Sequence, residues 1–274
     1  MQKLNTRNFS FRRFFKDGTW GKGGDSVRRG FQFGRHWGNG LALAVWAVWW
    51  GSLGMQAGEA TASPPKTGAP PALNQPFEKP DLDVPQWVKQ FEREGREVYD
   101  QRERIVRVTG VRPGMVVADV GAGTGLFEPL FARAVGPKGR VLAEDISPKF
   151  LDYIRHRASA AGLKNVETVL GTDRSANLPT NAVDLVFICD TYHHFEYPQA
   201  MLASIHQALK PGGWLVLVEF RRIPGQSAPW LLRHVRAGRE VFTREIVQAG
   251  FREVDSFDFL KQNYIIRFRK VAKQ

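Results

Sequence analysis

Residues 115–125 read MVVADVGAGTG, and this stretch decides the fold. The first six residues are apolar apart from Asp119, as is typical of a central strand in a parallel sheet with helices on both faces. A glycine-rich turn follows at once, and Leu126 begins a pattern typical of a helix. A strand, a glycine turn and a helix in this order favour a nucleotide-like ligand at the carboxyl edge of the sheet.

The same alternation of strands and helices continues toward the C-terminus. Helical patterns at 126–135, 148–161 and 198–208 separate apolar runs that read RVLAEDI, NVETVL, VDLVFIC and WLVLVEF. Two final runs, FREVDSFDFL and QNYIIRFRK, predict an antiparallel hairpin. The pattern therefore predicts an α/β, doubly wound, Rossmann-like sheet of seven mostly parallel strands that ends in this hairpin.

Two classes of ligand compete for the glycine turn. A dinucleotide site expects the spacing G-x-G-x-x-G, but Leu126 stands where the third glycine would fall. The carboxylate of Asp119 would repel a pyrophosphate and attract a cation. S-adenosylmethionine carries an ammonium and a sulfonium and no phosphate, so the charge pattern favours it over NAD(P) and an oxidoreductase function.

Five blocks in order resemble the class I S-adenosylmethionine-dependent methyltransferases, and most closely a bacterial subset with an N-terminal export signal. The blocks read VVADVGAGTG, RVLAEDISPKFL, LGTDRSANLP, VDLVFICDTYHHF and LKPGGWLVLVEF, and the resemblance covers about residues 86–274. It implies that the protein binds S-adenosyl-L-methionine and transfers its methyl group.

The resemblance also implies a set of cofactor residues. The acid and glycines of the first block hold the methionine end, and the acid closing the second strand binds the ribose hydroxyls, with Glu144 as the alternative. The third block reads Gly171-Thr-Asp where the family often has Gly-Asp-Ala, so the adenine contact can shift by one residue. The predicted cofactor residues are Asp119, Gly121, Ala122, Gly123, Gly125, Asp145, Ile146, Thr172, Asp173 and Asp190.

Two histidines follow the fourth strand, at the edge that should face the transferred methyl group. His193 and His194 are the candidate catalytic residues, since a neutral imidazole can remove a proton from the methyl acceptor. Alternatively they only orient the loop or line the acceptor pocket. The aromatic residues Tyr192, Phe195 and Trp230 suit a phenolic or quinone-like acceptor. Basic residues after the fifth strand predict either an anion clamp or a solvated basic face: Arg221, Arg222, Arg233, His234, Arg236 and Arg239.

The N-terminal residues 1–62 predict a basic leader with an apolar signal segment. Residues 1–40 carry a net charge of +7, Leu41–Met55 is an uncharged apolar run, and Ala60-Thr-Ala62 is typical of a cleavage site. An uncleaved signal anchor is the alternative. Seven prolines in residues 63–85 predict an extended linker without helix. The methyltransferase domain is then predicted at 86–274.

Composition limits the partners. Because +7 of the +12 net charge lies in residues 1–40, we expect no nucleic-acid surface on the folded part. The lone Cys189 excludes an intramolecular disulfide, and no Cys/His spacing predicts a metal site. We expect a small-molecule acceptor, and membrane contact only through an uncleaved leader. The domain is expected to be periplasmic or membrane-anchored if the leader is used, and cytoplasmic if it is not. An exported, non-catalytic binding protein with the same fold is the remaining alternative.

Overall fold

The computed structural model describes residues 68–271, and the predicted leader and residues 63–67 of the predicted linker lie outside that range. Seven strands form one sheet in the order β3-β2-β1-β4-β5-β7-β6. The strands are β1 Val116–Val120, β2 Arg140–Asp145, β3 Val166–Leu170, β4 Val183–Cys189, β5 Leu209–Phe220, β6 Phe251–Phe257 and β7 Asn263–Lys270.

Strand direction confirms the predicted fold. The pairs β1–β2, β1–β4, β2–β3 and β4–β5 are parallel, and β7 runs antiparallel to both β5 and β6. Strand order reverses at β1, whose neighbours are β2 on one side and β4 on the other. Open α/β sheets bind ligands at the carboxyl ends of the strands beside such a reversal.

Helices cover the sheet on both faces. Alternate residues of β4 explain why, since Val186 and Ile188 belong to one buried cluster while Leu185 and Phe187 belong to another. A strand that is apolar on both sides needs a helical layer on each. The helices are α1 Gln75–Glu78, α2 Val84–Phe91, α3 Glu97–Asp100, α4 Arg102–Thr109, α5 Glu128–Val135, α6 Pro148–Ala160, α7 Pro198–Ala208, α8 Pro229–His234 and α9 Arg239–Gln248.

The prediction of an extended linker is wrong for residues 68–85. A short 3₁₀ helix at Pro71–Leu73, helix α1 and the start of α2 occupy this segment. Each has a proline in its first turn, where the missing N–H costs no helical hydrogen bond. The segment also packs on the domain, because the backbone N–H of Ala69 donates to the carbonyl of Phe195 at 2.8 Å. We call residues 68–91 the N-terminal strap.

The charged stretch 86–108 contains parts of three helices, α2, α3 and α4. Gly95 lies in the turn between α2 and α3 with a φ of +82°, a left-handed conformation that an α-helix does not contain. Within residues 68–271, no helix combines the length and the apolar character that a membrane span requires.

Candidate cofactor and acceptor site

The glycine turn at the end of β1 has the backbone that only glycine adopts readily. Gly121, Gly123 and Gly125 have φ values of +74°, +56° and +76°. The N–H groups of Gly121 and Ala122 both donate to the carbonyl of Glu144 at 2.9 Å, which ties the turn to the end of β2. A Cβ at Gly121 would overlap the side chain of Thr191 after β4. The turn is therefore packed between the end of β2 and the residue that follows β4, the two strands on either side of β1.

Four buried carboxyl groups lie at this turn and form what we call the acid cluster: Asp119, Glu128, Glu144 and Asp145. One oxygen of Asp145 accepts from the N–H of Gly123 at 2.8 Å, and the other accepts from the N–H of Ser147 at 2.8 Å. The buried carboxyl of Glu128 lies against that of Asp119, and Oε1 of Glu144 is buried and has no hydrogen-bond partner within residues 68–271. Buried polar atoms are rarely left without partners, so this oxygen indicates a missing ligand.

The electrostatics of the acid cluster favour a cation. Burial raises the pKa of Asp145 to about 6 and that of Glu128 to about 7. Burial, and next the charge of Glu128, hold the pKa of Asp119 well above its usual range. Burial and then the charge of Asp145 do the same to the pKa of Glu144. A positively charged ligand would stabilise the ionised carboxylates, whereas a pyrophosphate would be repelled.

The predicted adenine residues line an open pocket of about 420 Å³ beside the acid cluster. Ile146, Gly171, Thr172 and Asp173 form one side, and the N-terminal strap forms part of the other. A Cβ at Gly171 would overlap Oε1 of Glu144, so this position admits no larger residue. The structure thus brings Ile146, Thr172 and Asp173 to one pocket next to the acid cluster.

The carboxylate of Asp190 at the end of β4 is already engaged by protein groups. Its Oδ2 lies 2.7 Å from Nη2 of Arg96, and its Oδ1 accepts from Nδ2 of Asn263 at 2.6 Å. Burial raises its pKa, and the charge of Arg96 opposes that shift. The residue therefore links the segment before α3 and strand β7 to the site. Its predicted contact with the cofactor stays a prediction.

Helix α2 lies across the glycine turn. Glu92, directly after α2, accepts from Oγ1 of Thr124 at 2.8 Å and forms a two-pronged ion pair with Arg157 of α6. The ring of Phe91 lies 3.6 Å from where a Cβ of Gly123 would be. Phe91, at the end of the N-terminal strap, thus covers the turn. The ion pair between the next residue, Glu92, and Arg157 holds this end of the strap against α6.

The two predicted catalytic histidines lie in a 3₁₀ helix, Tyr192–His194, directly after β4. His193 is buried, and its Nδ1 lies 2.8 Å from Oε2 of the fully buried Glu219. Nδ1 of His194 lies 3.0 Å from Oδ1 of Asn74 in the strap. Burial and the neighbouring His193 lower the pKa of His194 to about 2, so its ring is neutral.

A third histidine, His234, which the sequence indicated only as one of the basic residues after the fifth strand, completes this group. The ring of His234 at the end of α8 lies 5.0 Å from that of His193 and 5.2 Å from that of His194, centre to centre. We call His193, His194 and His234 the histidine cluster. The sequence could have indicated Glu219, since it is the one acid in the apolar run WLVLVEF. Asn74 had none, because it stands in a proline-rich segment.

Two expectations about the acceptor side need correction. Tyr192 and Phe195 belong to the core, and the hydroxyl of Tyr192 donates to Glu245, so neither lines a pocket. Only Trp230 is exposed, at 52%. Four of the five arginines are engaged by carboxylates or carbonyls within the domain, which supports neither an anion clamp nor a solvated face. These are Arg221, Arg222, Arg236 and Arg239.

Comparison with known proteins finds methyltransferases by sequence and by structure. A family described as "Methyltransferase domain" matches residues 118–217. The ubiquinone/menaquinone biosynthesis C-methyltransferase UbiE of Hydrogenovibrio crunogenus is 32% identical over 123 residues, covering 44% of this chain and 48% of that protein. UbiE of Shewanella baltica (strain OS155) is 34% identical over 118 residues, covering 43% and 47%.

A solved structure covers more of the fold. The SAM dependent methyltransferase from Aquifex aeolicus superposes with a TM-score of 0.62 at 26% identity, over 68% of this chain and 98% of that one. The chain spans about half the length of the curated relatives that it matches. Residues 118–217 thus match a methyltransferase domain, and the sheet order, the glycine turn and these similarities are those of class I S-adenosylmethionine-dependent methyltransferases, whose cofactor is S-adenosyl-L-methionine.

Proposed function

We propose that this protein transfers a methyl group from S-adenosylmethionine to a small-molecule acceptor. The acid cluster carries the proposal. Its four buried carboxyl groups, with Oε1 of Glu144 unpartnered, lie beside a turn that glycine alone fits at Gly121. These residues fit the cofactor, because its positive charges match the cluster. S-adenosylmethionine supplies an electrophilic methyl group on its sulfonium.

Nine of the ten predicted cofactor residues, all except Asp190, have a role that the geometry supports. Asp119 and the turn residues Gly121, Ala122, Gly123 and Gly125 would receive the methionine end. Asp145 keeps free lone pairs on both oxygens after accepting one hydrogen bond on each, so it can accept from the ribose hydroxyls. Ile146, Thr172 and Asp173 would border the adenine, as their shared pocket indicates.

Two observations support a small-molecule acceptor. The curated relatives are named as C-methyltransferases of ubiquinone and menaquinone biosynthesis. In this chain, Trp230 packs edge-on against Phe220 at 5.9 Å and lies 6.3 Å from His234, which gives an exposed aromatic surface beside the histidine cluster. Aromatic faces of this kind suit an acceptor that contains a ring.

The catalytic role of His193 and His194 stays a prediction. Glu219 can only accept a hydrogen bond at Nδ1 of His193, so that ring presents a lone pair at Nε2. Nε2 of His193 is buried and has no partner within residues 68–271. The geometry therefore favours His193 over His194 as the reactive member of the pair.

Replacing Asp145 by alanine tests the cofactor site. We expect the affinity of the full chain for S-adenosylhomocysteine, measured by isothermal titration calorimetry, to fall by roughly 1.5–3 kcal/mol, because the ribose hydroxyls lose their acceptor. Asp152→Ala on α6, whose carboxylate is half exposed and pairs with Arg155, is the matched control and should bind normally. Binding of NAD but not of S-adenosylhomocysteine by the wild-type chain would refute the proposed function.

A further inference from the structure

The histidine cluster has the arrangement of a metal-binding site. The ligand nitrogens of His193, His194 and His234 all lie within 4.8 Å of one another. Three imidazole nitrogens that share one tetrahedral ion are about 3.3 Å apart, given metal–nitrogen distances of 2.0–2.1 Å. Small side-chain rotations close that difference, and His234 has room to move because it is only partly buried.

The hydrogen bonds behind the cluster fix which nitrogen each ring presents. Nδ2 of Asn74 donates to the carbonyl of His194 at 3.0 Å and to Oε1 of Glu196 at 3.1 Å, so Oδ1 is the atom that faces the imidazole. An amide oxygen accepts, and Nδ1 of His194 must therefore carry the proton. Glu219 imposes the same tautomer on His193. Both rings thus present the lone pair of Nε2.

This pattern is what metal sites require beyond the ligands themselves. Histidines that bind metal usually donate their other N–H to a carboxylate or a carbonyl oxygen, which fixes the ring and raises its basicity. Here Glu219 and Asn74 supply such acceptors, and they come from β5 and from the N-terminal strap. Nε2 of His193 is buried and has no partner within residues 68–271, so its lone pair is available to an ion.

We propose that His193, His194 and His234 bind one divalent transition-metal ion through their imidazole nitrogens. Three neutral imidazoles suit Zn²⁺ and its first-row neighbours rather than Mg²⁺ or Ca²⁺, which prefer oxygen ligands. Three protein ligands leave a fourth position open, as in catalytic zinc sites. The sequence did not indicate this site, because His234 lies 40 residues beyond His194 and a spacing motif could not include it.

The ion would also give the acceptor a binding group, a step that rests on the proposed function. An acceptor with a hydroxyl or phenolic oxygen can occupy the fourth position beside Trp230. An ion on Nε2 of His193 uses the lone pair that a general base needs. Metal binding and proton acceptance by His193 are therefore exclusive roles, and one experiment separates them.

Titration of the tag-free, chelator-treated full chain with Zn²⁺ tests the site. We expect one Zn²⁺ per chain by calorimetry and elemental analysis, and the visible absorption of four-coordinate Co²⁺ when that ion is used instead. His234→Ala removes a ligand on a partly exposed helix and should abolish stoichiometric binding. Asn74→Ala should weaken it about 10- to 100-fold by freeing the ring of His194. His156→Ala, at an exposed histidine of α6, should bind as the wild type does.

Two results would overturn the metal site: no saturable Zn²⁺ binding by the wild-type chain, or equal losses in His156→Ala and His234→Ala. The first would leave Nε2 of His193 as a proton acceptor. Binding of S-adenosylhomocysteine is measured on the same samples, because the cofactor residues are separate from the histidine cluster. Failure of the metal site with intact cofactor binding is thus distinct from failure of the proposed function.

Discussion

Gly121→Ala should lower the affinity for S-adenosylhomocysteine about 100-fold, or about 2.7 kcal/mol at 25 °C. Two effects add at this position. A left-handed conformation costs a residue with a Cβ about 1–2 kcal/mol, and the φ of Gly121 is +74°. The new Cβ would also overlap Cγ2 of Thr191 and lie 2.7 Å from its Oγ1. Relief of that overlap moves the turn away from β4 and out of position for the cofactor.

A second glycine separates the two effects. Gly114 precedes β1 with a φ of +85°, and a Cβ there would meet no described atom within 4 Å. Gly114→Ala carries the same backbone strain without the overlap, so it should lower thermal stability and leave cofactor affinity unchanged. Adding Thr191→Ala to Gly121→Ala should recover part of the lost affinity. Equal affinities in Gly121→Ala and Gly114→Ala would show that the turn does not position the cofactor.

The glycine turn also shows how far the sequence could predict the site. Strand, turn and helix are neighbours in the chain, so their pattern fixed the local geometry, and all three glycines of G-x-G-x-G have the positive φ that the motif needs. The parallel sheet was readable for a similar reason, since strands buried on both faces are apolar throughout. Local periodicity carries this kind of information.

Contacts between segments that are distant in the chain could not be predicted from the sequence. Asn74 reaches His194 across 120 residues, and its segment was predicted as an extended linker because prolines usually interrupt helices. In this chain the prolines stand in first turns, where they are compatible with a helix. Arg96 pairs with Asp190, 94 residues away. Pairings of this kind depend on the tertiary fold.

The acid cluster leads to the second large effect, on stability. Glu128 is 2% exposed, and its pKa in the folded chain is about 7, against a usual value of 4.5. A group whose pKa is raised by folding contributes its full stability below its unfolded pKa and loses it as pH rises through the folded pKa. Between about pH 4.5 and pH 7 the folded state therefore loses about 3 kcal/mol through this one group.

Glu128→Gln should remove that loss, because glutamine keeps the shape of the side chain and does not ionise. The free energy of unfolding from urea titrations should match the wild type near pH 5 and exceed it by about 3 kcal/mol near pH 8. Glu167→Gln is the matched control. Its carboxylate is half exposed, and the neighbouring Arg140 lowers its pKa, so this variant should show no gain at high pH.

The same variant should bind S-adenosylmethionine more weakly, since one of the four acids that receive its positive charge becomes neutral. Stability and binding then change in opposite directions, as happens where a site keeps unfavourable charges together for its ligand. If the unfolding free energy of Glu128→Gln stays equal to the wild-type value from pH 5 to pH 8, folding does not raise the pKa of Glu128. Improved cofactor binding would show that the acid cluster does not receive a cation.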